Sequence, residues 1–199
     1  MIILASKSPR RKELLSKIVS NFKIIPSNID ERKYDIYSLS RIKAEEISKL
    51  YPDDLIISAD TYVVYNNKIY NKPKDKLDAF NTLKTLSNNT HEVITYYTLL
   101  NKNKNISLTK KCITYVTFNK LSDDLINRYI ESGSPLDKAG SYGIQDNDKF
   151  PLVKSYKGSL YNIIGLPIEE LKIDLIEAYD NYKAPKKKNF LSFLFRGKK

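Results

Sequence analysis

The sequence predicts an α/β fold built on a mixed sheet flanked by helices. Helical periodicity and β-branched apolar runs interleave irregularly along the chain, with no internal repeat. Two long strand candidates, 91–100 and 106–118, are joined only by the polar turn 101–105, so they form an antiparallel pair. At 199 residues the chain is long enough to bury a proper core in one domain and too short for two independent ones.

The elements follow in order. Ile2 to Leu4 is a buried-type strand, after which Ser6 or Ser8 can cap a helix whose first turn accommodates Pro9, because the missing N–H costs nothing there. Residues 22–25 read as a short strand stopped by Pro26, and a loop then carries the acidic turn Ile29-Asp30-Glu31-Arg32. From 38 to 50, Leu39, Ile42, Ile47 and Leu50 fall near helical spacing, and the helix ends before Pro52. Residues 55–65 form a strand interrupted by Ser58, Asp60 and Thr61, and Asn66-Asn67 turns it into a hairpin. A helix over 74–86 has Leu77, Phe80, Leu83 and Leu86 as its expected stripe. Ser122 opens a further helix that Gly133-Ser134-Pro135 ends, residues 150–155 are strand-like, and 167–179 make a last helix. The expected domain is 1–182. Residues 183–199 form a basic, Phe-rich tail, expected to be a flexible, frayed extension rather than a segment lying on an anionic membrane surface.

Composition narrows the chemistry. Cys112 is the only cysteine and His91 the only histidine, which excludes an internal disulfide and a Cys/His zinc site. Any metal must sit on carboxylates, which points to magnesium or manganese. No apolar run approaches the roughly 20 residues a membrane span requires, and the first charges follow the apolar start instead of preceding it as in a secretory signal. A cytoplasmic protein is expected. The formal charge of +11 would attract polyanions, yet the abundance of lysine, asparagine, isoleucine and tyrosine suggests a genome-wide bias behind it.

Asp60 is the most telling residue, a carboxylate in a run otherwise suited to a sheet interior. Burial costs several kcal/mol unless such a charge is paired or binds metal. Either it pairs with one of the many lysines, or it stands at a strand end and takes a proton from water or holds a cation, with Glu31 as a second carboxylate. Arg10, Arg11, Lys43 and Lys72 would supply the cations that a metal-bound polyphosphate requires. The opening segment alone reads equally as an anion cradle or as a capped helix with solvated arginines. Two of six glycines fall within 137–145, where Gln145 offers a donor and an acceptor to a nucleobase edge; an ordinary turn is the alternative. Neither a Walker pattern nor a dinucleotide fingerprint is present.

Leu4-Ala5-Ser6-Lys7-Ser8-Pro9-Arg10-Arg11-Lys12-Glu13-Leu14-Leu15, Ser58-Ala59-Asp60-Thr61, Lys72-Pro73, Asp137-Lys138-Ala139-Gly140-Ser141-Tyr142-Gly143-Ile144-Gln145 and Gly165-Leu166-Pro167 resemble, in order and spacing, the Maf family of nucleoside triphosphate pyrophosphatases. The resemblance covers about residues 1–180 and implies an elongated mixed sheet with two lobes around a cleft, as in the inosine triphosphate pyrophosphatases. It implies hydrolysis of a nucleoside triphosphate to the monophosphate and pyrophosphate with a divalent cation, and a homodimer. By the same resemblance Asp60 is the proton acceptor. Ser6, Arg10, Arg11, Lys43, Thr61, Lys72 and Gln145 bind substrate, and Glu31 with Asp60 holds the metal. Arg10, Thr61 and Gln145 match the branch acting on dTTP and UTP. The chain departs from the family at Asn71, at Asp30-Glu31, and at Asp146-Asn147-Asp148-Lys149, where glycines are common. Two rival expectations remain: a basic nucleic-acid-binding protein, disfavoured because the singled-out cations stand beside carboxylates, and a division regulator acting through protein contacts.

Overall fold

A computed structural model describes residues 1–180, so the reading of the tail 183–199 falls outside the described residues. The strands are β1 (Ile2–Leu4), β2 (Lys23–Ile24), β3 (Leu55–Tyr65), β4 (Lys68–Tyr70), β5 (Thr90–Asn101), β6 (Ile106–Phe118) and β7 (Val153–Lys157). The helices are α1 (Pro9–Ser16), α2 (Leu39–Leu50), α3 (Lys76–Leu86), α4 (Asp123–Glu131), α5 (Leu160–Ile164) and α6 (Ile168–Asp180). They make the expected α/β architecture, a seven-stranded mixed sheet ordered β2-β1-β3-β5-β6-β7, with β4 pairing β3. β1 runs parallel to β2 and β3, whereas β3 with β4 and β6 with β7 are antiparallel.

Local chemistry accounts for the ends of the elements. Ser8 caps α1 by accepting from the Arg11 N–H, with Pro9 in the first turn, and Ser122 caps α4 in the same way through Leu125 N–H. Asn66 and Asn67 take φ of 49° and 59°, the left-handed pair that a two-residue hairpin turn needs.

The described chain divides into two compact units, 1–60 with 96–111 and the segment from 165 onward, and 61–95 with 112–164. In the first, α2 packs on the sheet through Ile3, Ala5, Ala44, Ile47 and Ile56. The expected stripe of α2 is corrected: Leu50 is exposed, and the inward face is Leu39, Ser40, Lys43, Ala44, Ile47 and Ser48. Small side chains at i, i+4 and i+8 let the helix lie close to the strands, and Leu50, in the last turn, has passed beyond them. Hydroxyls tie the layers together. Ser58 on β3 donates to the Ser40 carbonyl, while Ser40 and Thr98 share a hydrogen bond of 3.0 Å and Thr98 and Thr109 one of 2.9 Å. Asp174 on α6 is a second buried carboxylate, held by the Tyr97 hydroxyl and the Lys110 ammonium, and it is structural.

The second unit has its core among Val63, Leu83, Leu86, Val93, Val116, Phe118, Tyr129, Tyr142 and Phe150. Two further expectations are corrected there. Leu77 is exposed, and α3 turns Ala79, Thr82, Leu83 and Leu86 inward. β7 begins at Val153, three residues later than read from the sequence, because Pro151 offers no N–H to a ladder and Phe150 and Leu152 are drawn into the core. The helix α5, absent from the sequence reading, buries Asn162, whose amide donates to the Val93 carbonyl and the Thr114 hydroxyl.

His91 lies 1% exposed in this core, with Nε2 2.8 Å from the Tyr142 hydroxyl and its ring edge-on to Phe118. Burial pushes its pKa down from 6.5 to about 4. The native state therefore resists protonation that the unfolded chain accepts, so stability is complete above pH 6.5 and is lost as pH falls toward 4. The full loss is about 3 kcal/mol. Urea midpoints between pH 7 and 4 should show it, and His91→Gln, which keeps a partner for Tyr142, should flatten that slope. An unchanged slope in the variant would assign the acid sensitivity to other groups.

Candidate active site

Strand parity positions the central carboxylate. Ile56 packs against α2 and Ser58 bonds to the α2 backbone, so Asp60, two residues on, faces the same helix. There it meets Lys43, whose Nζ is 2.6 Å from Asp60 Oδ2 and 2.7 Å from Glu31 Oε1. The side chains of Lys43 and Asp60 are 10% and 12% exposed, while that of Glu31 is 57% exposed. One ammonium thus joins a buried carboxylate to a solvent-facing one, and both alternatives for Asp60, a lysine pair and a second carboxylate close by, hold at once.

The acidic turn is held in place by α2. Glu46, one turn beyond Lys43, accepts from the Ser27 hydroxyl and, at 3.0 Å, from the Asn28 N–H. No local sequence pattern marks the Glu46 tether. The structure also separates Asp30 from Glu31. Asp30 turns to Arg32, with Nε 2.9 Å from Oδ1, and that hydrogen bond holds its carboxyl below the usual range. Glu31 alone of the two turns to Lys43.

The opening motif begins where the neighbouring strand β1 ends, alongside the middle of β3. β1 and β3 are parallel with Leu4 opposite Ile57; β1 stops there and Ser6 lies in the loop two residues beyond, whereas β3 runs on to Tyr65. The strand-end expectation for Asp60 is therefore corrected: it sits in mid-strand, three residues past Ile57, where the shorter β1 has already ended. Ligands of open α/β sheets bind outside the carboxyl ends of parallel strands, here the end of β1. Ser6 is buried, and its Oγ accepts from Arg11 Nη1 at 3.3 Å and from the Ser8 N–H at 3.2 Å. Arg11 Nε donates to the Gly165 carbonyl at 2.9 Å, joining the first motif to the Gly165-Leu166-Pro167 motif. Sequence spacing contained no sign of that link. Arg10 is half-buried beside it.

Thr61, Lys72 and Gln145 belong to the second unit, on three different segments of it. Thr61 Oγ1 is 3.0 Å from Thr95 Oγ1, Lys72 is exposed after β4, and Gln145 is exposed in the 3₁₀ turn Ile144–Asp146. The motif before Gln145 depends on close backbone approach. Gly140 has φ +67°, and a Cβ there would lie 2.6 Å from a Val63 methyl, so no other residue fits without displacement.

Among the described residues no group of three or more His, Cys, Asp or Glu side chains converges as a preformed metal cage. Magnesium is commonly bound by one or two carboxylates, waters and substrate phosphates. Glu31 and Asp60, both within hydrogen-bond distance of the same Lys43 atom, fit that donor set.

These features define a chain of the Maf family: the family model "Maf-like protein" matches residues 1–178, and the chain belongs to that family. It is 43% identical over 190 residues, 91% of this chain and 96% of the relative, to a dTTP/UTP pyrophosphatase of Clostridium perfringens. It is 44% identical over 185 residues, 88% of this chain and 98% of the relative, to the dTTP/UTP pyrophosphatase of Clostridium beijerinckii, and 42% identical over 186 residues to that of Clostridium botulinum strain Eklund 17B. Among the described residues no helix is long and apolar enough to cross a membrane.

Proposed function

We propose that this chain is a nucleoside triphosphate pyrophosphatase that hydrolyses dTTP, UTP and modified pyrimidine analogues to the monophosphate and pyrophosphate, removing non-standard nucleotides. The observation that carries the reading is the buried Asp60–Lys43 pair with Glu31 attached, on β3 at the level where the shorter β1 has ended, in a chain of this family. In this reading residues 1–182 are the catalytic domain, acting as a cytoplasmic homodimer without a stable nucleic-acid complex.

Asp60 accepts a proton from the attacking water, whose oxygen bonds to the α-phosphorus. The bond from that phosphorus to the bridging oxygen breaks, and the electron pair leaves with pyrophosphate. Lys43, Arg10, Arg11 and Lys72 stabilise the charge that develops on the phosphate oxygens, and the Ser6 hydroxyl orients the chain of phosphates. Magnesium or manganese held by Glu31 and Asp60 would supply further neutralisation of those oxygens. Thr61, Gln145 and Arg10 select the base and its attached sugar and phosphate, Gln145 by offering a uracil or thymine edge both a donor and an acceptor.

A panel of dTTP, UTP, CTP, ATP and GTP with magnesium or manganese, in water enriched in oxygen-18, tests the whole reading. Turnover should be fastest with dTTP and UTP, and the label should enter the monophosphate. Label in orthophosphate, or a purine triphosphate preferred to both, would overturn it.

A further inference from the structure

The family departure after Gln145 is explained by contacts that the sequence does not announce. Asp146 occupies a position where glycine is common, and its Oδ2 accepts the Tyr129 hydroxyl at 2.7 Å and the Ser134 hydroxyl at 2.7 Å. The same Tyr129 oxygen accepts the Gly143 N–H at 2.9 Å. Tyr129, wholly buried on α4, therefore holds the residues two before and one after Gln145. Burial, and then the bond to Asp146, push the Tyr129 phenol above its ordinary range, so it stays a neutral donor at working pH. Asn147 closes the turn from the other side, accepting from Val153 N–H at 2.7 Å and donating to its carbonyl at 3.1 Å.

The Gln145 side chain folds back over the segment so held. Its Oε1 lies 3.0 Å, and the Lys138 stem 2.7 Å, from where a Cβ on Gly143 would stand. Lys138 is itself anchored, Nζ donating to the Ser134 hydroxyl at 2.9 Å and to Asp137 at 2.8 Å.

We infer that Tyr129 and Asp146 are positioning residues for Gln145, fixing the orientation of its amide and so the choice between uracil and cytosine. The argument is one of symmetry. A carboxamide that rotates freely presents its donor and acceptor in either order, satisfying the N–H and carbonyl of uracil as readily as the ring nitrogen and amino group of cytosine. Discrimination demands a held amide, because only then does the wrong base set donor against donor and acceptor against acceptor. The inference rests on the assignment of Gln145 to base recognition.

The test is the ratio of kcat/KM for UTP to that for CTP in the full chain, together with hydrogen exchange at the Gly143 amide. Asp146→Ala and Tyr129→Phe should raise the KM for UTP and lower the UTP-to-CTP ratio by about five- to twentyfold, the loss expected from one or two polar contacts, with kcat within about twofold. Asp146→Asn should restore the ratio, since its carbonyl still accepts both hydroxyls. Gly143 exchange should quicken in Tyr129→Phe. An unchanged ratio in Asp146→Ala and Tyr129→Phe, while Gln145→Ala lowers it, overturns the inference and leaves the pyrophosphatase reading intact, as does an equal fall in kcat for every nucleotide. A parent protein that hydrolyses none of the nucleotides overturns that reading instead, and Gly143 exchange unaltered by Tyr129→Phe sinks the positioning role irrespective of turnover.

Discussion

Asp60→Asn should fold as the parent does and release pyrophosphate from dTTP about 10²- to 10⁴-fold more slowly, the contribution typical of a positioned general base. The amide has the shape of the carboxylate and can still accept from Lys43 Nζ, now 2.6 Å from Oδ2, so the layer between α2 and β3 is preserved. Lys43 also retains Glu31 at 2.7 Å, and no uncompensated ammonium is left inside. What disappears is the basic lone pair that takes the proton from water, together with half of the carboxylate set available to a cation. Circular dichroism and thermal melts check the fold, and a coupled pyrophosphate assay checks the rate. Near-parental turnover by a folded variant would remove Asp60 from the role of base.

Lys43→Met has the second-largest expected effect, and it divides into two measurements. Without the ammonium, the buried Asp60 carboxylate loses its partner and faces Glu31 across the vacated contact. Breaking a buried pair by removing one member costs about 3–5 kcal/mol. The lower end applies here because Glu31 is more than half exposed, with 57% of its side chain accessible. For a chain of this length that is a fall in Tm of roughly 6–12 °C. Magnesium should recover more of this loss in Lys43→Met than it adds to the parent, since a divalent cation can neutralise both carboxylates where the ammonium stood. Independently, kcat/KM should drop by about 10²–10³, the usual cost of losing one preorganised donor to developing charge. A variant as stable as the parent, with no response to magnesium, would show that Lys43 does not hold the two carboxylates together in solution.

The parts of this protein that are legible in its sequence are those decided over a few residues. The Ser8 cap with Pro9, the Ser122 cap and the Asn66-Asn67 turn each follow from one side chain or one dihedral preference acting on its neighbours. Asp60 was legible for a different reason, as a charge that an apolar run cannot tolerate without a partner. The helix stripes were less so. Periodicity places Leu50 and Leu77 on apolar faces, but what packs on each helix decides which side is covered: Leu77 lies on the side of α3 away from Ala79, Leu83 and Leu86, and Leu50 lies at the end of α2, past Ile47 and Ser48.

The class of fold, the family motifs and the residue types of the candidate site are readable along the chain, because they depend on short-range preference and on the identity of side chains. It takes the folded chain to show that Glu31 rather than Asp30 turns to Lys43, that Glu46 tethers the acidic turn, that Arg11 reaches Gly165, and that Tyr129 grips both sides of Gln145. Arg11 and Gly165 are 154 residues apart in the chain, and Glu46 and Asn28 are 18 apart. No local rule links such pairs. Their meeting is set by strand order, parallel register and the direction in which each helix crosses the sheet, which are properties of the whole fold.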